Sequence, residues 1–280
     1  MGPGVKAPAR WLGMDATCLV TGANGFIGSH LVDALLARGH RVVCLVRLTS
    51  NLRWLQDQPH TCARGDVTEP ESLPEAVREA DYVFHVAGLT KAPAPAHFDQ
   101  VNCQGTVNLL EACRTSASHL RRFILVSSLA AAGPSPDGRA LTEDDPCRPV
   151  SLYGQSKLQA ERAAARYQDA LPLTIVRPPV VYGPRDELTL DLFRVVCRHI
   201  QPRPGAPQRI STIYIRDLVD GILLAAERPE ATGRTYFMGH HVPSSIAEFT
   251  GLAARALGVW TVPLPVPVWA LLTYALGSDL

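Results

Sequence analysis

The 280-residue chain is 46% hydrophobic and 19% charged, the composition of an ordinary globular protein and not of a disordered one. A formal net charge of +1 gives no electrostatic reason to expect nucleic acid or an anionic membrane as a partner. Seven cysteines, at 18, 44, 62, 103, 113, 147 and 197, form neither a C-x-x-C pair nor a Cys/His cluster. That pattern points to free thiols in a reducing cytoplasm and away from a metal site.

Residues 1–14 lack a continuous apolar stretch and read as a flexible leader, not a signal peptide. Ala16 to Val20 then forms a short apolar strand that runs into Thr21-Gly22-Ala23-Asn24-Gly25-Phe26-Ile27-Gly28. Phe26, Ile27, Leu31, Leu35 and Leu36 follow at helical spacing up to a stop at Gly39, and Arg41 to Val46 reads as a second strand. In such a strand-turn-helix unit, Gly22 allows the tight turn, Gly25 lets backbone approach an anion, and Gly28 lets the helix lie against the strand. The helix N-terminus then faces the anion with free N–H groups, and a pyrophosphate is the expected guest. A bare glycine motif is weak; its position between strand and helix gives it weight.

Arg47 stands about twenty residues beyond the glycines, where an acidic residue would hold the adenosine ribose of NAD. No Asp or Glu occurs between Asp33 and Asp57, so Arg47, with Arg53 as a second candidate, is expected to meet a 2′-phosphate and to favour NADP over NAD. Gly65-Asp66-Val67 ends a third strand, with Asp66 facing adenine or capping a helix expected over Glu69 to Ala80. Tyr82 to Val86 is the fourth strand, ending at the small residues Ala87-Gly88, with His85 expected to be packed inside. A helix is expected over Asp99 to Cys113, with Val101, Val107, Leu109, Leu110 and Ala112 on its buried face and Asn102 and Thr106 as polar interruptions. Phe123 to Val126 forms the fifth strand and opens onto Ser127-Ser128. The alternation predicts a parallel sheet covered on both faces, with ligands at the carboxyl ends of its strands.

After a Gly/Pro/Asp-rich loop from Ala131 to Val150, Tyr153-Gly154-Gln155-Ser156-Lys157 opens a helix reaching about Tyr167. Residues four apart share a helix face, so Tyr153 and Lys157 are neighbours. A phenol has a pKa of about 10, so a phenolate at neutral pH costs about 4 kcal/mol, which an adjacent ammonium would offset. Tyr153 is thereby expected to act as general acid or base, while Ser128 holds the same substrate oxygen during hydride transfer. Alone, a Tyr-x-x-x-Lys pair is a common surface accident; it gains meaning from following a dinucleotide turn and a strand-end serine.

Taken together, T-G-A-N-G-F-I-G (21–28), G-D-V-T (65–68), H-V-A-G (85–88), V-N-C-Q-G-T-V-N-L-L-E-A (101–112), V-S-S (126–128), Y-G-Q-S-K (153–157) and R-P-P-V-V-Y-G-P (177–184) resemble the extended short-chain dehydrogenase/reductases of the NAD-dependent epimerase/dehydratase group. The resemblance covers the first two thirds of the chain. It implies an α/β fold, a Rossmann-type doubly wound parallel sheet (15–186) with a small C-terminal substrate lobe (187–280), from which a segment near 210–228 returns to the main domain. It implies that Ser128, Tyr153 and Lys157 are catalytic and that Lys157 also meets the nicotinamide ribose. The cofactor path would run along Gly22, Asn24, Gly25, Phe26, Ile27, Gly28, Arg47, Asp66, Val67, Ala87, Gly88, Asn102, Val126, Pro178, Val180 and Val181. Lys91, Ser128, Leu129 and Tyr182 are the candidate substrate contacts. A homodimer through the helices at 99–113 and 153–167 is also implied.

In the lobe, helices are expected over Leu188 to His199, Asp217 to Glu227 and Ser244 to Leu257, and short strands over Ile210 to Tyr214 and Thr235 to Phe237. Val262 to Leu276 contains three prolines, falls short of a membrane span and reads as a docking helix over that lobe. Relatives usually continue past the position of Leu280, which suggests a clipped or reduced lobe. Arg47 and the uncharged Leu188, Leu190, Leu192 and Phe193 favour an NADP-dependent reductase or dehydrogenase of a hydrophobic ketone or secondary alcohol, similar to 3β-hydroxysteroid dehydrogenases and dihydroflavonol reductases. Two alternatives stay open: a nucleotide-sugar epimerase or dehydratase with tightly held NAD, its diphosphate met by Arg185, Arg194, Arg203 or Arg209, and a non-catalytic NAD(P)-sensing regulator.

Overall fold

The computed structural model describes residues 15–205 and 209–266, so the leader and the stretch beyond Val266 lie outside the described residues. The chain opens as β1 (Thr17–Thr21), α1 (Phe26–Ala37), β2 (Arg41–Val46), β3 (Thr61–Arg64), α2 (Pro74–Val77) and β4 (Tyr82–His85). It continues through α3 (Pro95–Phe98), α4 (Gly105–Ser116), β5 (Arg122–Val126), α5 (Leu152–Ala165), β6 (Leu173–Arg177) and β7 (Val180–Tyr182). The remaining elements are α6 (Leu190–Cys197), β8 (Ile200–Pro204), β9 (Arg209–Ile210), β10 (Thr212–Tyr214), α7 (Ile215–Glu227), β11 (Thr235–Phe237), β12 (Ser244–Ser245), α8 (Ile246–Leu257) and β13 (Val262–Val266).

Seven strands form one sheet in the order β11-β6-β5-β4-β1-β2-β3, and every pairing in it is parallel. The order reverses between β1 and β4, which opens a crevice beyond their carboxyl ends, the place where ligands bind in open parallel sheets. Both faces are covered. Cys18 and Val20 of β1 pack with Leu31, Val32 and Leu35 of α1 and Leu218 and Ile222 of α7. Leu19 faces the other way, toward Val77, Leu109, Leu110 and Ala164. A strand buried on both sides reads as a continuous apolar run, as β1 does. Each of these leucines contributes about 2 kcal/mol by leaving water.

Some boundaries differ from the sequence expectation for physical reasons. The helix expected over 69–80 is broken into a 3₁₀ turn at Pro70–Ser72 and the one-turn α2, because Pro70 and Pro74 each start a new turn and lack the N–H that would continue the last. The helix expected from Asp99 begins as a wide π turn at Asp99–Gln104, and its buried side chains are Asn102, Thr106, Leu109, Leu110, Ala112 and Cys113, with Val101 and Val107 only partly covered. Val262–Val266 is a strand paired with β8, not the start of a helix; the remainder of that expected helix lies outside the described residues. The return to the main sheet runs further than position 228, since β11 extends the sheet beside β6 and α7 packs beneath it. No described helix is long and apolar enough to cross a membrane. All seven cysteines are free.

Candidate active site

The glycine turn leaves β1 with Gly22 at φ +64°, and a Cβ there would sit 2.8 Å from the backbone N of Ala87 at the end of β4. A Cβ on Gly28 would lie 2.1 Å from the Gly22 carbonyl oxygen, so only glycine lets α1 approach the turn this closely. Gly25, the N-cap of α1, supplies no side-chain cap, and the first turn contains no acidic residue. Phe26, Ile27 and Gly28 face the cavity there, so the helix offers uncapped amides and its positive dipole end to an anion. A dinucleotide pyrophosphate fits this cradle in shape and in charge.

The cavity measures about 1430 Å³ and extends along the carboxyl ends of the sheet. At its adenosine end lie Arg47, Ser50, Asp66 and Val67. Arg47 is exposed, and its backbone N–H is held by Ser50 Oγ at 3.0 Å. Arg53 is engaged elsewhere, paired with Glu187 and lying 4.5 Å over the Trp54 ring, so it does not join Arg47. Asp66 Oδ1 accepts from the Thr68 N–H and hydroxyl, both at 2.9 Å, an Asx turn that fixes the loop after β3.

At the other end, Ser128 and Tyr153 line the same cavity, brought together by two local devices. Ser151 caps α5 by accepting from Gly154 N at 3.0 Å, and Ser128 caps the short turn after β5 by accepting from Ala130 N at 3.1 Å. The Tyr153 hydroxyl meets Ser128, which lowers its pKa, but burial dominates and raises it above the usual 10. Lys157 lies one layer behind, only 4% exposed, with Nζ donating to the Val126 carbonyl at 2.7 Å. Burial pulls its pKa down to about 8, and Glu161 pulls it partly back.

The cavity gathers Gly22, Asn24, Gly25, Phe26, Ile27, Gly28, Arg47, Asp66, Val67, Ala87, Gly88, Lys91, Ser128, Leu129, Tyr153, Pro178, Val180 and Val181 along one wall. Four expected residues do not line it. Lys157 and Val126 stand behind Tyr153 as described. Asn102 is buried and clasps the loop after β4, accepting from Leu89 N at 2.7 Å, donating to Leu89 O at 3.0 Å and to Ser156 Oγ at 2.9 Å. Tyr182 packs in the lobe, its ring 5.6 Å from Tyr214 and 5.2 Å from Phe249. His85 is buried as expected, between Thr21 and Thr106.

Leu188, expected to favour an apolar substrate, and Arg209, expected as a diphosphate contact, line the cavity as well, together with Leu141, Ile210, Phe237 and Arg139, which the sequence reading missed. These residues come from loops and short strands with no periodicity to mark them. Of the arginines considered for a diphosphate, Arg185 is paired with Asp33 and Arg194 with Asp191, each at 2.9 Å. Arg209 faces the cavity and donates to the Pro243 carbonyl at 3.4 Å.

A parallel sheet with an anion cradle at its switch point, and a buried phenol meeting a serine beside it, defines a nicotinamide-dinucleotide enzyme. The chain belongs to the NAD-dependent epimerase/dehydratase family, whose model matches residues 18–239. It is 36% identical over 211 residues to ceramide reductase of Caulobacter vibrioides, a match that covers 75% of this chain and 61% of that protein. It is 31% identical over 249 residues to 4-hydroxy-2-methyl-3-oxo-4-farnesyl-3,4-dihydroquinoline-1-oxide ketoreductase of Stigmatella aurantiaca, covering 86% of this chain and 73% of the relative. Among solved structures, UDP-glucose 4-epimerase of Thermus thermophilus in complex with NAD superposes with a TM-score of 0.77 at 29% identity, covering 90% of this chain and 86% of that one.

Proposed function

We propose that the protein is a reductase of apolar ketones, or a dehydrogenase of the matching secondary alcohols, with a preference for NADP. The observation that carries this reading is Tyr153 meeting Ser128 in a cavity that Leu141, Leu188, Ile210 and Phe237 also line. The amides of Phe26 to Gly28 would hold the pyrophosphate, Arg47 the 2′-phosphate, and Pro178 to Val181 would flank the nicotinamide. When bound, the reduced cofactor supplies hydride to the carbonyl carbon. Ser128 orients the carbonyl oxygen by a hydrogen bond, and Tyr153 donates its proton to that oxygen as the alcohol forms. Lys157, positive at neutral pH with its pKa at about 8, offsets the phenolate left behind.

Two relatives named for the reduction of lipid-like molecules support an apolar substrate, and the Leu141, Leu188, Ile210 and Phe237 wall suits one. Arg209 at the cavity rim favours a second reading, a nucleotide-sugar epimerase or dehydratase with NAD held through the cycle. Steady-state oxidation of NADPH and NADH against a series of ketones of rising chain length separates the two. The reductase reading expects turnover that rises with chain length and runs faster with NADPH. Absence of ketone reduction, together with NAD retained through purification and conversion of a UDP-sugar, overturns it.

A further inference from the structure

Glu161 lies one helical turn beyond Lys157 on α5, with its carboxylate buried, and the proposed reaction does not use it. Arg177 at the end of β6 grips it with two bonds, Nε to Oε1 at 2.9 Å and Nη2 to Oε2 at 2.6 Å. Ser127 at the end of β5 donates its hydroxyl to the same Oε1. The Arg177 and Glu161 side chains are 7% and 5% exposed. As a purely structural device such a pair is a poor choice, because removing two charges from water costs several kcal/mol and apolar replacements are often neutral or stabilising.

What the carboxylate does touch is the machinery. It ties the residue before Ser128 to the residue before Pro178, so one side chain adds a clasp to the backbone hydrogen bonds that already join these two strand ends flanking the reaction site. It also supplies the negative charge on the helix that carries Lys157. The charged or titratable groups that act on or with Lys157 are Glu161 on α5 and His85 on β4, whose own pKa Lys157 helps to depress; Tyr153 stands one turn earlier on α5 and Arg177 is paired with Glu161. His85 is neutral in the working range and Tyr153 is protonated. The Glu161 carboxylate, one turn along the same helix, is the anion that partly offsets the effect of burial on Lys157.

From this geometry we infer that Glu161 is a positioning residue for the proposed reaction, holding Lys157 in its charged state and fixing the Ser127–Ser128 strand end against Arg177. The inference rests on the reductase reading for its catalytic consequence but not for its electrostatic one. The chain contains three lysines, Lys6, Lys91 and Lys157, so ¹³C labelling of lysine gives a spectrum simple enough to follow each side chain. In Glu161→Gln the Lys157 resonance should titrate at lower pH than in wild type, with Lys91 unmoved. The alkaline limb of kcat should shift with it, so that turnover falls several-fold near pH 8 and little near pH 6. Ser127→Ala leaves the carboxylate in place and should leave the Lys157 titration where it is.

Should the single variant fail to fold, Glu161→Gln/Arg177→Gln leaves no unpaired buried charge and should move the Lys157 titration in the same direction by less, because a positive charge leaves with the carboxylate. A merely structural Glu161 would lower the unfolding midpoint without moving either titration, and that result overturns the inference. Movement of the Lys157 resonance without movement of kcat overturns its catalytic half. A wild type that reduces no ketone counts against the reductase reading, while the resonance still decides the role of Glu161.

Discussion

His85 should make the fold acid-sensitive through the strand ends that frame the cofactor crevice. Its Nδ1 lies 2.7 Å from Thr21 Oγ1, and its Nε2 lies 3.0 Å from Thr106 Oγ1. Thr106 gives its one hydroxyl proton to the Asn102 carbonyl at 2.6 Å, so its oxygen accepts from Nε2–H, which assigns the tautomer. The Thr21 oxygen in turn accepts from Ala87 N–H at 3.1 Å, so its hydroxyl proton points at a bare Nδ1. A second imidazole proton would face that hydroxyl proton. Burial, and then the charge of Lys157, hold the His85 pKa at about 3, against 6.5 when the chain is open. The folded value is the lower one, so the unfolded chain takes up more protons between these limits and stability falls as pH drops below 6.5. Between there and pH 5 the loss is about 2 kcal/mol, from 1.5 units at about 1.4 kcal/mol each. Urea unfolding of wild type and His85→Gln at pH 7 and pH 5 isolates this group, because all other titrations cancel in the difference. Wild type should lose about 2 kcal/mol more than the variant. Equal losses in both proteins would refute the hydrogen-bond chain and the neutral imidazole with it.

Gly28→Ala puts a Cβ 2.1 Å from the Gly22 oxygen, so α1 must back away from the turn. We expect a stability loss of about 1–3 kcal/mol by urea unfolding and a clear drop in NADPH affinity by nicotinamide fluorescence. Arg47→Asp should move the NADPH-to-NADH ratio of kcat/KM toward NADH by tenfold or more, since a hydrogen bond to a charged group is worth about 1.5–3 kcal/mol; an unchanged ratio would exclude a 2′-phosphate at Arg47. Lys157 has a folded pKa of about 8 against 10.5 unfolded, so in wild type this group makes stability rise with pH between those values. Lys157→Met should abolish that rise in an unfolding series while removing turnover.

Much of the nucleotide half is legible because its signals are local. The apolar run of β1, the spacing of Leu31 and Leu35 and the stop at Gly39 lie within one βαβ unit, and the second strand reads as Arg41–Val46, its bounds in the structure. The breaks at Pro70 and Pro74 are legible too, but the amphipathic pattern through Ala80 hides them. Asn102 and Thr106 read as polar faults in an apolar helix face; they are buried because partners distant in sequence, Leu89, Ser156 and His85, satisfy them. The packing of Tyr182 is not legible, because nothing near it in the chain announces Phe249. The depth of Tyr153 escapes the sequence because burial is a tertiary property, and a Tyr-x-x-x-Lys spacing reports proximity without reporting depth. Glu161 has a signal, the next turn of the face that carries Tyr153 and Lys157, but its partners Ser127 and Arg177 come from two other strands.

The claim on which the functional reading depends is that Tyr153 donates the proton. The direct measurement is single-turnover oxidation of NADPH with a long-chain ketone in wild type and Tyr153→Phe, alongside NADPH affinity by fluorescence. The account predicts a rate lower by about a hundredfold or more in the variant with affinity within a few fold of wild type. A rate that survives the loss of the hydroxyl would contradict it.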